Sequence, residues 1–78
     1  MVKKIYNFVI FKEDNKYIAR CVEFLITEAA DTEEEALKKT IESMKFHNKE
    51  YGLYEYKYEN FPFDKYKNYK IKKIEVDL

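Results

Sequence analysis

Residues 5–11, Ile5-Tyr6-Asn7-Phe8-Val9-Ile10-Phe11, are apolar on both alternating sets except at Asn7, with β-branched and aromatic types throughout. Such a run predicts a central strand buried on most of both faces. The polar run Lys12-Glu13-Asp14-Asn15-Lys16 follows, and its Asp-Asn pair tolerates left-handed backbone angles. A second apolar run over residues 17–22, Tyr17-Ile18-Ala19-Arg20-Cys21-Val22, completes a β-hairpin. Glu23 interrupts, and residues 24–30 form a third expected strand, antiparallel to the second because the connection is too short for a crossover. Three strands in this order make a meander.

The strongest helix signal follows at once. Thr32 stands as the N-cap with Glu35 three residues on, the spacing of a capping box, and Glu33, Glu34 and Glu35 face the positive end of the helix dipole. Ala36, Leu37, Thr40, Ile41 and Met44, with Tyr51 at the far end, recur at helical spacing on one face, while Phe46 points away. Gly52 is placed to end the helix in a left-handed cap. Residues 53–70 support two readings: Tyr54, Tyr56 and Tyr58 alternate as a strand would, and a helix could equally continue until Pro62. From residue 69 to 78 the β character returns with Ile71, Ile74 and Val76, predicting a fourth strand. The order is βββαβ, an α+β fold in which a three-stranded antiparallel meander and a C-terminal strand carry one packed helix.

Seventy-eight residues are too few to divide, so residues 1–78 are read as a single domain. Fifteen basic residues balance fifteen acidic ones, which removes the net positive charge that general nucleic-acid or membrane-surface binders carry. No apolar run is long enough to span a bilayer and no signal-peptide core is evident, so a cytoplasmic protein without membrane contact is expected. The single cysteine, Cys21, agrees, because small secreted domains are held by several disulfides. Lysine supplies all basic residues but Arg20, in a chain also rich in Tyr, Asn and Ile. That bias looks like an A/T-rich coding sequence, so lysine abundance alone is weak evidence for anion binding, and the scarcity of arginine weighs against bidentate phosphate or guanine recognition.

Catalytic chemistry finds few candidates. His47 is the only histidine; Ser43 precedes it by one helical turn, and no acid is evidently placed to orient the ring. Cys21 lies between apolar residues, where a thiol acts as a small hydrophobe. One Cys and one His cannot form a soft-ligand metal site, and one glycine cannot form a phosphate loop. No enzyme activity, metal or cofactor is expected.

The aromatic first strand, the acidic turn, Tyr17-Ile18-Ala19-Arg20-Cys21-Val22-Glu23 and the helix opening Asp31-Thr32-Glu33-Glu34-Glu35-Ala36-Leu37 together resemble the HicB-like antitoxin family. The resemblance covers about residues 5–44, and residues 71–76 are similar to the family's last strand. The family's second strand usually ends Ala-x-Cys-Pro-Glu, followed by Leu-Pro-Gly-Cys and Gly-Asp-Thr. Here Val22 replaces the proline, Phe24-Leu25-Ile26 replaces the Pro-Gly segment with one residue fewer, and Ala30 replaces the glycine. The resemblance implies a degraded ribonuclease H-like domain that covers the active site of a small RNA-cleaving HicA-type toxin. Many members also carry a C-terminal DNA-binding module; this chain ends at the expected fourth strand, so no such module and no DNA binding are expected.

Two charged segments bear on a partner. Glu23, Glu28, Asp31, Glu33, Glu34 and Glu35 occur without one basic residue among them. An acidic strip of this kind, with Glu23, Glu28, Asp31, Glu33 and Glu34 as its contact residues, would oppose the RNA-binding face of a small basic toxin-like protein. Ordinary helix-start chemistry explains part of it equally well. The second segment, Lys65, Tyr66, Lys67, Tyr69, Lys70, Lys72 and Lys73, interleaves lysines with aromatic rings, as single-stranded RNA platforms do. Its plain alternative is a lysine-protected edge strand. Tyr54, Tyr56, Tyr58, Phe61 and Phe63 form a further aromatic group, expected as a homodimer interface because such residues are enriched at interfaces.

Overall fold

The computed structural model of the protein describes residues 3–52, 55 and 61–78. Strand β1, Lys3–Glu13, pairs antiparallel with β2, Lys16–Cys21, through the register Phe8↔Cys21 to Glu13↔Lys16. Asp14 and Asn15 between them take φ of 49° and 68°, the two positive angles that a two-residue hairpin turn requires. Strand β3, Thr27–Ala30, adds antiparallel to β2, and strand β4, Lys70–Asp77, adds antiparallel to the other side of β1. The sheet order is β3-β2-β1-β4, and helix α1, Glu33–Tyr51, packs against β2 and β3. The expected βββαβ arrangement is therefore present.

The third strand is shorter than the sequence suggested. Residues 24–26 are not strand but part of a reversal: Leu25 N–H donates to Cys21 O at 2.8 Å, Cys21 N–H donates to Ile26 O at 2.9 Å, and Leu25 takes φ 58°. The cause is Val22, whose N–H still pairs with Asn7 O at 2.8 Å, so the turn back along β2 must be completed in the residues beyond it. A side chain in the left-handed region costs on the order of 1–2 kcal/mol.

Helix α1 starts where its cap predicts, with Thr32 accepting from Glu35 N–H at 3.2 Å. Ala36, Leu37, Thr40 and Met44 are buried, and Ile41 packs against them. Tyr51 does not complete the stripe: it is 77% exposed, because the helix buries no side chain after Met44. Gly52 donates its N–H to Asn48 O at 3.1 Å and takes the positive φ expected, 75°, but its ψ of 152° lies outside the left-handed helical cap, in a region open to glycine.

Alternation along β1 divides the apolar residues between two cores. On the helix side, Tyr6, Phe8 and Ile10 meet Ala19, Cys21, Ala30 and Val76 of the sheet and Ala36, Leu37 and Met44 of α1. On the opposite side, Val9, Val22 and Phe61 form a second cluster, joined by Phe11, Phe63, Tyr66 and Tyr69. Residues 61–69, including a short 3₁₀ turn at Phe63–Lys65, thus cover the face that α1 does not reach. Met44 is fully buried. Met44→Ala should lower unfolding free energy by about 2–5 kcal/mol, whereas Lys45→Ala on the exposed face should change it by less than about 0.5 kcal/mol; urea denaturation of the two variants measures both.

Candidate functional site

The acidic residues divide into one buried carboxylate and a group around the junction of β3 and α1. Glu23 is only 6% exposed. One of its oxygens accepts from Asn7 N–H at 2.9 Å and the other from Asn7 Nδ2 at 2.6 Å. Glu23 is therefore not part of a surface strip. Where β2 ceases to pair, its carboxylate supplies the acceptor that a continuing strand would have offered to Asn7 N–H.

The remaining acids differ in their partners and freedom. Glu28 is half-buried and accepts from Ser43 Oγ at 2.8 Å. Asp31 is exposed and pairs with Lys16, whose ammonium holds the Asp31 carboxyl below the usual carboxylate range. Glu33 pairs with Lys70 at 2.7 Å. Glu34 is exposed and, among the described residues, forms no ion pair. Sequence reasoning did not single out Lys16 and assigned Lys70 only to the lysine and tyrosine segment, because the two meet the helix start only once the strands pair; the register Tyr17↔Ala30 brings Lys16 beside Asp31.

Alongside Glu33 and Glu34 runs an open groove of about 640 Å³ between α1 and β4. Leu37 and Ile41 give it apolar lining, and Lys38, Lys45 and Lys72 contribute the opposite charge to Glu33, Glu34 and Glu42. Its walls can receive a chain that offers both apolar and charged groups.

The lysine and tyrosine residues do not form one surface. In β4 the register sets Lys70 opposite Ile10 and Lys72 opposite Phe8, on the helix side, while Ile71 and Lys73 oppose Val9 and Asn7 on the other side. Tyr66 stacks on Phe61 at 5.6 Å between ring centroids, its hydroxyl accepts from Arg20 Nη1 at 2.9 Å, and Tyr69 lies 5.9 Å from Phe63. These rings pack against the second core and are only partly exposed. Lys65 and Lys67 remain exposed on the loop. Phe61 of the expected dimer interface is likewise buried, at 8% exposure, with Phe63 packed beside it; Tyr54, Tyr56 and Tyr58 lie outside the described residues.

Ser43 and His47 are not arranged as nucleophile and base. The Ser43 hydroxyl is directed to Glu28, and His47 Nδ1 lies 2.8 Å from the Ser43 main-chain carbonyl instead. Burial pushes the Cys21 thiol up to about 12, so it stays protonated at neutral pH. Among the described residues, no three His, Cys, Asp or Glu side chains gather as metal ligands, and no helix is long and apolar enough to cross a membrane.

No family model, curated protein or solved structure matches the chain. The resemblance to HicB-like antitoxins therefore rests only on the residues that carry it.

Replacing Glu23 by leucine keeps most of the volume but removes both acceptors, leaving Asn7 N–H without a partner. Glu23→Leu should therefore destabilise the fold by about 1–3 kcal/mol; a denaturation midpoint within error of the parent's would contradict the backbone-capping role. For Asp31, a lowered folded-state pKa means that the contribution of its pair is present above the unfolded value, about 3.9, and is lost as pH falls through the folded one. Carboxyl-carbon NMR titration should place Asp31 below the ordinary range in the parent and within it in Lys16→Met, while a titration in that variant identical to the parent's would rule out the Lys16 contact.

Proposed function

We propose that this chain is a non-catalytic protein-binding domain of the HicB antitoxin type, which occupies the RNA-binding face of a small basic toxin. The single observation that carries the reading is the groove between α1 and β4, whose N-terminal end presents Glu33 and Glu34 beside apolar Leu37 and Ile41. Asp31 precedes that end in sequence, whereas Glu28 sits on β3 at the other edge of the sheet, held by Ser43. A toxin that cleaves RNA must carry positive charge where RNA binds, and an acidic groove end attracts that charge over distance before contact is made. Apolar lining then supplies contact area that charge alone does not.

Binding of single-stranded RNA through the lysine and tyrosine segment is the weaker reading. Its rings are engaged in the second core, and its strand lysines are shared between two faces of the sheet.

The test begins with the tagged chain purified from its own host, with ribonuclease treatment to remove RNA-bridged material. A small basic protein recovered in this way should cleave RNA by itself and stop doing so when the purified chain is added in equal amount. Asp31→Lys combined with Glu34→Lys should slow its association roughly tenfold at low salt, with dissociation changed much less. Recovery of RNA with no protein, or association kinetics insensitive to the two reversals, would overturn the proposal.

A further inference from the structure

β4 is one of the two edge strands of the sheet, and its outer edge is unpaired among the described residues. The direction of its free backbone groups follows from β1. Asn7 turns its N–H and C=O toward Glu23 and Val22, on the β2 side, so Phe8 turns its own toward β4. Phe8 opposes Lys72; even-numbered β4 residues therefore bond to β1, and Ile71, Lys73, Glu75 and Asp77 direct their N–H and C=O outward.

The side chains of this edge are arranged by sign. Lys70, Lys72 and Lys73 occupy the first half of the strand, and Glu75 and Asp77 the second. Lysines on an edge ordinarily oppose pairing with another strand. The same strand also carries acids: an in-register parallel neighbour would set each charge against its own kind, whereas an antiparallel neighbour can set Lys73 against Glu75.

We infer that β4 is a self-complementary edge through which two copies of this chain join into one continuous antiparallel sheet about a two-fold axis at Ile74. The register is decided by charge. A two-fold perpendicular to the sheet places residues of equal parity opposite one another, so the axis falls on a residue. An axis at Lys73 sets Lys73 against its own copy, and an axis at Glu75 sets Glu75 against its own copy; like charges directly opposite are destabilising. With the axis at Ile74, Lys73 of each copy faces Glu75 of the other, Lys72 faces Val76, and the two Ile74 side chains meet at a non-hydrogen-bonded pair, where strands approach most closely. Ile74 already packs against the helix-side core and is only partly covered there. Helix α1 packs on β2 and β3 and meets β4 on the helix-side face, through the Glu33–Lys70 pair and the groove at Lys72, rather than along the outward backbone groups of the strand. The inference is independent of the antitoxin reading and requires no partner protein.

Sedimentation velocity of the full chain at high micromolar concentration should show a dimer that weakens as salt is raised. Lys73→Glu and Glu75→Lys, both at exposed positions, should each weaken self-association by roughly tenfold, because each turns two attractive pairs into repulsive ones. Mixing the two variants should restore a dimer containing one copy of each, since every Glu then faces a Lys. A strict monomer in the parent chain, a parent dimer that neither reversal weakens, or failure of the mixture to associate would each overturn the proposed edge. Circular dichroism of each variant, expected to match the parent, verifies that the changes are confined to association.

Discussion

Strand β1 carries apolar side chains on both faces, and each face needs a cover. The chain has a single described helix, and α1 can lie on only one side of the sheet. The other side, centred on Val9, is closed by residues 61–69, which have almost no regular secondary structure of their own. A loop of that length can cover a sheet only with large side chains, and Phe61, Phe63, Tyr66 and Tyr69 provide them, since each aromatic ring removes roughly 150–250 Å² from water. Tyr66 fits because its hydroxyl reaches Arg20 at the sheet surface. Much of the aromatic richness of the C-terminal third therefore answers a packing demand made by the first strand.

That demand also explains which parts of the structure could be read in advance. The hairpin and the helix start were legible because their determinants are local: Asp14-Asn15 sets the turn, and Thr32 with its acidic successors sets the cap. The helix stripe was legible through Met44 and failed at Tyr51, where the helix outlasts its buried face. Glu23 was misjudged because its partner, the Asn7 N–H, lies sixteen residues away in another strand. The same is true of residues 24–26, whose β-prone types were overridden by the need to reverse direction after Val22 had paired with β1. Of the candidate site, the acids at the helix start were found, but their partners Lys16 and Lys70 depend on strand register. The lysine and tyrosine segment had no single period to betray it: half is a covering loop, and half is a strand that distributes its lysines to both faces.

The charge pattern takes on a different meaning once register is known. Lys16, at the start of β2, and Lys70, at the start of β4, reach Asp31 and Glu33 from opposite sides of the sheet. Each is an exposed or partly exposed pair, of the kind that adds little to stability in water. Their larger consequence is geometric: the start of α1 is tethered to strands on both sides of the hairpin strand β1, and Glu34 is left out of these ion pairs. The surface acid that remains for a partner is thus less than the sequence suggested, and more localised.

The two sheet edges differ in how they resist association. β3 is four residues long and ends at the tethered helix start, so it offers little backbone to a neighbour. β4 is twice that length and relies on lysine, but only in its first half. A neutral or basic strand arriving at β4 meets unmatched positive charge, and a parallel copy meets its own sign at each position. The antiparallel copy escapes both penalties because strand alternation places Lys73 and Glu75 on the same face. The parity that separates Lys72 from Lys73, and so breaks up a lysine platform, is the same parity that makes this edge complementary to itself.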